Sequence, residues 1–547
     1  MTATTPEPRP LLRERLLDRL DDVGDALHLP VTGRRVPGTV AVAVLAGLAS
    51  LAASAYFVGH HQLSLAYGDA LAHLTVARQL FDAPAGFAVP PLPTLLLAPF
   101  VVSVWLWSSG WGAALLGACC LAATAAAVYR IGARWGLHGL GRLTGVAAVV
   151  ANPTMLYLHS TALSRPVLIA GMAGCLAGLA HWAATDRLLR PRELALYAGV
   201  PGAVAALSGF EGWALVGVGA VYVAILTWHS TRELPAVLRE VAGFVAVPAL
   251  AVAAWSGASL LAGGAPLAYM GELSSTSPGG PPGIGLGSMG QVALSLTTLN
   301  IAVVNTVGVG LIGLAAAGLC ILLPWNRVPR LPGFLAVALS TYVYLAVTLI
   351  TGSVVVLNDA NSAEVWNNRH GMPMILVGAL FAACGVDLAA RTLSSRNPRF
   401  VTVAQVLVAV VTAGALVAQT LWLAPAPDRR SLVLFEAVTQ LADGFGPRRA
   451  AAWLGEHYDG GRILIDESLA RNTVLPLVGL PLREYYLSSN PSSFAAALAD
   501  PAGHVSWVWA TDDPDDLVGR AIAADPAFHF AYQVAYSESG LRVYQRR

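Results

Sequence analysis

The chain has 547 residues, 56% of them hydrophobic and 12% charged, against about 25% charged in a soluble domain. With a mean hydropathy of +0.61 it falls among polytopic membrane proteins, and a wholly soluble enzyme is excluded. The formal net charge of +1 gives no basis for a nucleic-acid partner.

The charged segment 1–37 is rich in Arg and is expected to be cytoplasmic, without a secretory signal peptide. Leu12, Leu16, Leu20, Val23 and Leu27 recur at helical spacing between Arg13, Arg15, Arg19 and Asp21, which predicts an amphipathic helix on the membrane surface. The first span is predicted over 39–58. Arg34 and Arg35 before it place the N-terminus inside, so loop 59–93 faces outward. That loop contains Tyr67-Gly68-Asp69-Ala70-Leu71-Ala72-His73, and a helix starting at Gly68 sets Asp69 and His73 on one face.

Apolar runs follow over 92–107 and 111–128, separated by Ser108-Ser109-Gly110. Two full spans would return the chain outside, yet Arg130, Arg134 and Arg142 argue for inside. One run is therefore expected to be partial or re-entrant, for a total of about 11 to 13 spans. Further runs lie over 143–157, 163–183, 194–208, 213–228, 241–261, 300–323, 334–357, 372–390 and 401–423, with Arg-rich and weakly charged loops alternating between them. The loops holding Asp69, 159–165, Glu211, Glu272 and 367–370 then all fall on the outer side.

From 425 to 547 long apolar runs stop and Asp, Glu and Arg become frequent. Strand patterns over 463–466, 504–510 and 528–544, with helical patterns over 449–457 and 493–498, predict a small extracytoplasmic α/β domain. It follows a transmembrane domain over 38–424.

An ionisable side chain at a span centre costs about 2.5 to 3.5 kcal/mol on insertion scales. Arg165, Glu211, Arg369 and His370 sit at span ends and need partners. They predict a polar pocket at the outer leaflet for an anionic group such as a lipid phosphate; the plainer alternative is snorkelling arginines. A divalent metal could draw on Asp69, His60, His61 and His73 with Glu211 or Glu272, but no ligand spacing is diagnostic. The five cysteines lie in apolar runs and read as small core residues. Gly285-Leu286-Gly287-Ser288-Met289-Gly290 matches a nucleotide-loop pattern by chance, with no strand before it.

These motifs resemble the GT-C superfamily of membrane glycosyltransferases. The resemblance is to the glycosyltransferase family 39-like branch of protein O-mannosyltransferases, lipid A aminoarabinose transferase and actinobacterial relatives. It is carried by Gly68-Asp69-Ala70 and Pro90-Pro91-Leu92-Pro93 in the first outer loop and by Asn152-Pro153 before the second. Phe210-Glu211-Gly212-Trp213, Asn368-Arg369-His370-Gly371-Met372-Pro373 and the soluble domain after the last span complete it.

The resemblance implies an inverting transferase in the cytoplasmic membrane. It would move a sugar from a polyprenyl-phosphate donor to an envelope glycan, lipid or protein acceptor on the extracytoplasmic face. Asp69 would be the general base, with Arg369 and Arg165 on the donor phosphate. Tyr67, His73, Glu211, Asn368, His370 and Glu272 would contact substrate. Relatives often carry an acidic residue in the second outer loop, where this chain has Arg165. The other readings are a transporter or flippase of lipid-linked substrates, which would lead one to expect internal repeats, and a GT-C-like scaffold without catalysis.

Overall fold

A computed structural model describes residues 37–60, 62–82, 92–184, 190–262, 266, 290–322, 331–352, 367–396, 401–423, 432–443, 445–469 and 472–547. The predicted surface helix over 12–27, His61, Pro90, Pro91, Glu272 and the Gly-rich stretch 285–289 lie outside these residues.

The chain is a multi-pass α-helical bundle with a small sheet domain at its C-terminal end. Among the described residues eight helices are long and apolar enough to cross a membrane, from Thr39–Gly59 to Gln405–Leu423. A bent pair, Val292–Val307 and Val309–Cys320, has the apolar length of a ninth, as a broken span or a re-entrant loop. Two of the segments expected as spans form shorter helices, below that length. One is Gly139–Val150. The other is helical over 191–206 and relaxes into a π turn at Ala195–Gly199, just ahead of Pro201, whose ring cannot join a regular ladder. Among the described residues this gives eight spans, or nine with the bent pair counted as one, fewer than the 11 to 13 expected from sequence.

The run over 92–107 is not a span. It is built as Leu92–Leu97, a 3-10 turn Ala98–Phe100 around Pro99, and Val104–Ser109. Pro99 has no N–H to continue the backbone ladder, so the helix that opens at Leu92 stops before a full span can form; Pro93, in its first turn, costs no ladder bond. Among the described residues no helix long enough to span lies between Thr39–Gly59 and Trp111–Arg134, which answers the opposed charge signals around this run.

The run over 300–323, expected as one straight span, bends by 102° at Gly308. Gly308 takes φ +83, which glycine adopts without steric cost. The bend frees the carbonyls of Thr306 and Val307. Asn152 Nδ2 donates to both, at 3.1 and 3.5 Å, while Asn152 Oδ1 caps the next helix at Thr154 and Met155. One buried asparagine thus serves two helix ends.

The C-terminal sheet has five strands: β1 Ile463–Ile465, β2 Tyr485–Leu487, β3 Trp507–Thr511, β4 Tyr532–Glu538 and β5 Leu541–Arg546, in the order β2-β1-β3-β5-β4. β1 pairs parallel with β2 and β3; β5 pairs antiparallel with β3 and β4. The stretch 528–544, read as strand from sequence, opens with a one-turn helix, Phe528–Ala531. It then forms a hairpin whose two turn residues, Ser539 and Gly540, both have positive φ. Alternation along the strands decides the packing. Ile463, Ile465, Tyr485, Leu487, Trp507 and Trp509 join the core that runs on into the helical bundle. Leu464, Val508, Ala510 and Tyr544 face a separate cluster with Val518, Ile522 and Phe528.

Candidate functional site

The first loop forms its helix at Gly68–Asp82, with Asp69 in the opening turn. Ala70, Leu71, Leu74 and Ala77 are buried on its inner face. Trp107 Nε1 donates to the Leu74 carbonyl at 3.0 Å, and His73 Nδ1 lies 2.9 Å from the Ala162 carbonyl of the second loop. Arg78 fixes the far end, pairing with Asp82 at 2.7 Å and donating to the Val101 carbonyl at 2.9 Å. The soluble domain closes over this loop. Asp82 accepts from the Leu482 amide at 3.1 Å, and Arg448 donates to the Ala66 carbonyl at 3.0 Å. Asp69 is therefore held on a helix braced from both sides.

The late loop comes to the same place. Asn368–Gly371 is a 3-10 turn that leads into the long helix Pro373–Arg396. Arg369 Nη2 donates to Asp69 Oδ2 at 2.7 Å, across 300 residues of chain. The guanidinium also lies 5.2 Å from the ring centre of Tyr67, within cation–π range. The Tyr67 hydroxyl donates to the Val433 carbonyl at 3.4 Å. Burial, and then the nearby Glu436, hold that phenol well above its ordinary value, so it stays a neutral donor. Asn368 is fully buried. Its side-chain oxygen accepts from Asn305 at 3.1 Å, and its carbonyl accepts from the Thr306 hydroxyl at 2.6 Å. The bent helix pair thus anchors the turn that carries Arg369.

Beside this pair lies a second buried cluster. Arg165 Nη1 donates to Glu211 Oε1, and Arg165 Nη2 sits 2.7 Å from His370 Nδ1. His370 and Glu211 are 3.9 Å apart. All three side chains are under a tenth exposed. Two glycines permit this approach: a Cβ on Gly212 would come within 2.2 Å of the Ala205 backbone, and one on Gly371 within 2.6 Å of the Ala302 carbonyl. Tyr67, Asp69, Asn368 and Arg369 therefore form one contact group, and Arg165, Glu211 and His370 another joined to it at His370. His73 packs on the second loop rather than on either. His60 stacks on Tyr56 at 4.4 Å. Among the described residues no three His, Cys, Asp or Glu side chains gather as a metal-ligating set.

Glu436 belongs to the first group, and sequence reasoning missed it. It lies in the opening turn of the helix Val433–Asp443, which leads into the soluble domain. It is 2% exposed, and its Oε1 accepts the Asn367 amide N–H. A signal was available: Glu436 falls one helical turn after Val433 and next to Ala437, both fully buried, so it lies on the apolar face of its helix. Burial pushes its carboxyl up to about 7, against the pull of Arg369 and the amides of Asn367 and Asn368. The folded protein thus keeps a proton that the unfolded chain releases near 4.5. Stability should fall as pH rises from about 4.5 to about 7, by about 3 kcal/mol, and level off above that. Glu436→Gln is expected to remove that slope, read as the thermal midpoint in detergent against pH; an unchanged slope would place the titration elsewhere.

No protein family and no curated protein sequence matches the chain. A solved structure does: the crystal structure of ArnT from Cupriavidus metallidurans bound to undecaprenyl phosphate. The TM-score is 0.52, over 92% of this chain and 97% of that one, with 14% identity. The likeness extends over nearly the whole of both chains, so the chain shares the overall fold of that structure. At this identity the likeness speaks for the fold; what the chain does has to be argued from its own residues.

Proposed function

We propose that the chain is an inverting membrane glycosyltransferase that moves a sugar from a polyprenyl-phosphate donor to a cell-envelope acceptor. The reading has the N-terminus in the cytoplasm and the soluble domain outside. The observation that carries it is the contact of Arg369 with Asp69 at 2.7 Å, at the shared end of the first and late loops. A carboxylate and a fixed guanidinium side by side are what this chemistry requires. As the acceptor oxygen attacks the anomeric carbon, its proton passes to Asp69. The bond from that carbon to the phosphate oxygen breaks, and the polyprenyl phosphate leaves with the electron pair. Phosphate is a good leaving group once its charge is met, so a base and a cation suffice.

Arg369 suits the cation role for two reasons. Its planar fork can take two phosphate oxygens, and it precedes the N-terminus of the long helix Pro373–Arg396, whose dipole favours an anion there. A donor phosphate engaging Arg369 competes with Asp69 for the same guanidinium, which leaves the carboxylate free to accept a proton as the site fills. The fold supports a lipid-linked donor, since its structural neighbour holds undecaprenyl phosphate.

The test is transfer of radiolabelled sugar from a panel of polyprenyl-phosphate sugars into membranes of cells lacking the protein. Expression of the wild-type chain is expected to restore labelling from at least one donor. No labelling from any donor would overturn the reading.

A further inference from the structure

Asn367 has φ 59 and ψ 32, the left-handed conformation, which L-residues adopt rarely, Asn more readily than most, and which glycine adopts freely. Two residues later comes Arg369. The turn between them is gripped from two sides. From the membrane bundle, Asn305 and Thr306 hold Asn368. From the soluble domain's leading helix, Glu436 accepts the Asn367 N–H. The same helix offers the Val433 carbonyl to Tyr67, whose ring lies against Arg369. The helix therefore touches the arginine's turn at one point and its ring platform at another.

We propose that Glu436 is a positioning residue of the donor site: its carboxyl holds the left-handed Asn367 turn so that Arg369 faces Asp69, which makes the soluble domain part of the active site. The carbonyl oxygen of a carboxyl accepts the Asn367 N–H in either protonation state, so the role needs reach and an acceptor, not charge. Gln supplies both, Ala neither, and Asp keeps the carboxylate but withdraws it by one methylene.

The inference rests on Arg369 as the donor-phosphate ligand. It is tested in the full-length protein with E436A, E436D, E436Q and the double variant E436A/N367G. With a misplaced Arg369, kcat is expected to fall about 100-fold in E436A and in the same direction in E436D. KM for the acceptor is expected to stay within about threefold, because Arg369 meets the donor phosphate and not the acceptor. E436Q is expected to stay within about tenfold of wild type. Glycine adopts the left-handed turn without strain, so N367G should return about tenfold of the lost rate to E436A. E436D preserves a buried carboxylate and carries the test if E436A does not fold.

Wild-type kcat in both E436A and E436D would overturn the inference, and so would a loss that neither Gln nor N367G relieves. If the wild-type chain transfers no sugar, the glycosyltransferase reading fails by itself. The positioning role is then decided by binding of undecaprenyl phosphate in detergent. Its Kd is expected to rise about tenfold in E436A and to recover in E436A/N367G; equal Kd values would overturn it.

Discussion

Asp69→Asn is expected to lower sugar transfer by about 100- to 10,000-fold, the span that general-base catalysis contributes. The substitution is close to isosteric, and its side-chain oxygen can still accept from Arg369, so the loop contact survives while the basicity is lost. Asp69 is partly exposed, with 14% of its side chain accessible. The thermal midpoint should therefore move by no more than about 2 °C, the range of a change of about 1 kcal/mol or less in a chain of this size. The assay is transfer from the preferred polyprenyl-phosphate sugar at matched expression, with melting followed in the same preparation. A variant that melts like wild type and transfers nothing assigns the base. A variant that transfers as fast as wild type removes Asp69 from the chemistry and leaves the Arg369 contact as an element of structure only.

Asp69 was legible in the sequence because its signals are local. Gly68 opens a helix, the four-residue step sets its face, and the flanking apolar runs give depth; the helix Gly68–Asp82 follows that pattern. The gathering of 159–165, Glu211 and 367–370 at one end was also legible, since alternating arginines order the loops without any knowledge of contacts. Which side chains meet was not. Arg369 and Asp69 are 300 residues apart, and periodicity carries no term for such a pairing. Arg165 read as a phosphate ligand because an arginine at a span end shows a charge and hides its partner; the partners, Glu211 and His370, lie 46 and 205 residues away.

Apolar length misled in two places for related reasons. Runs 92–107 and 300–323 have the hydropathy of spans. Pro99 breaks the first, and Gly308 bends the second by 102°. Both interruptions serve the site. The first lets Val101 and Trp107 pack against the Asp69 helix, through Arg78 and the Leu74 carbonyl, and the second turns Asn305 and Thr306 toward Asn368. Local rules fail here where the chain departs from regular helix in order to hold a functional turn, as expected of sites whose geometry is fixed at the expense of local preference.

Arg165→Ala and Glu211→Ala are each expected to destabilise the protein by about 3 to 5 kcal/mol, because each leaves a buried charge without its partner. Both side chains are under a tenth exposed. Removing both charges, as in R165M/E211L, should cost much less than the sum, since replacing a buried ion pair with apolar side chains of similar volume is often close to neutral. Melting of the four proteins in detergent gives the coupling directly, and additive losses would deny the pair. The same set decides what Arg165 does in transfer. Its guanidinium is already engaged by Glu211 and His370, and Arg369 stands against Asp69, so Arg369 is the better placed of the two for phosphate. R165M/E211L is therefore expected to keep transfer within about tenfold of wild type once its fold is restored. A double variant that melts like wild type yet transfers nothing would return Arg165 to the donor phosphate. The ion pair with Glu211 would then be the resting partner that a donor displaces, as Asp69 is for Arg369.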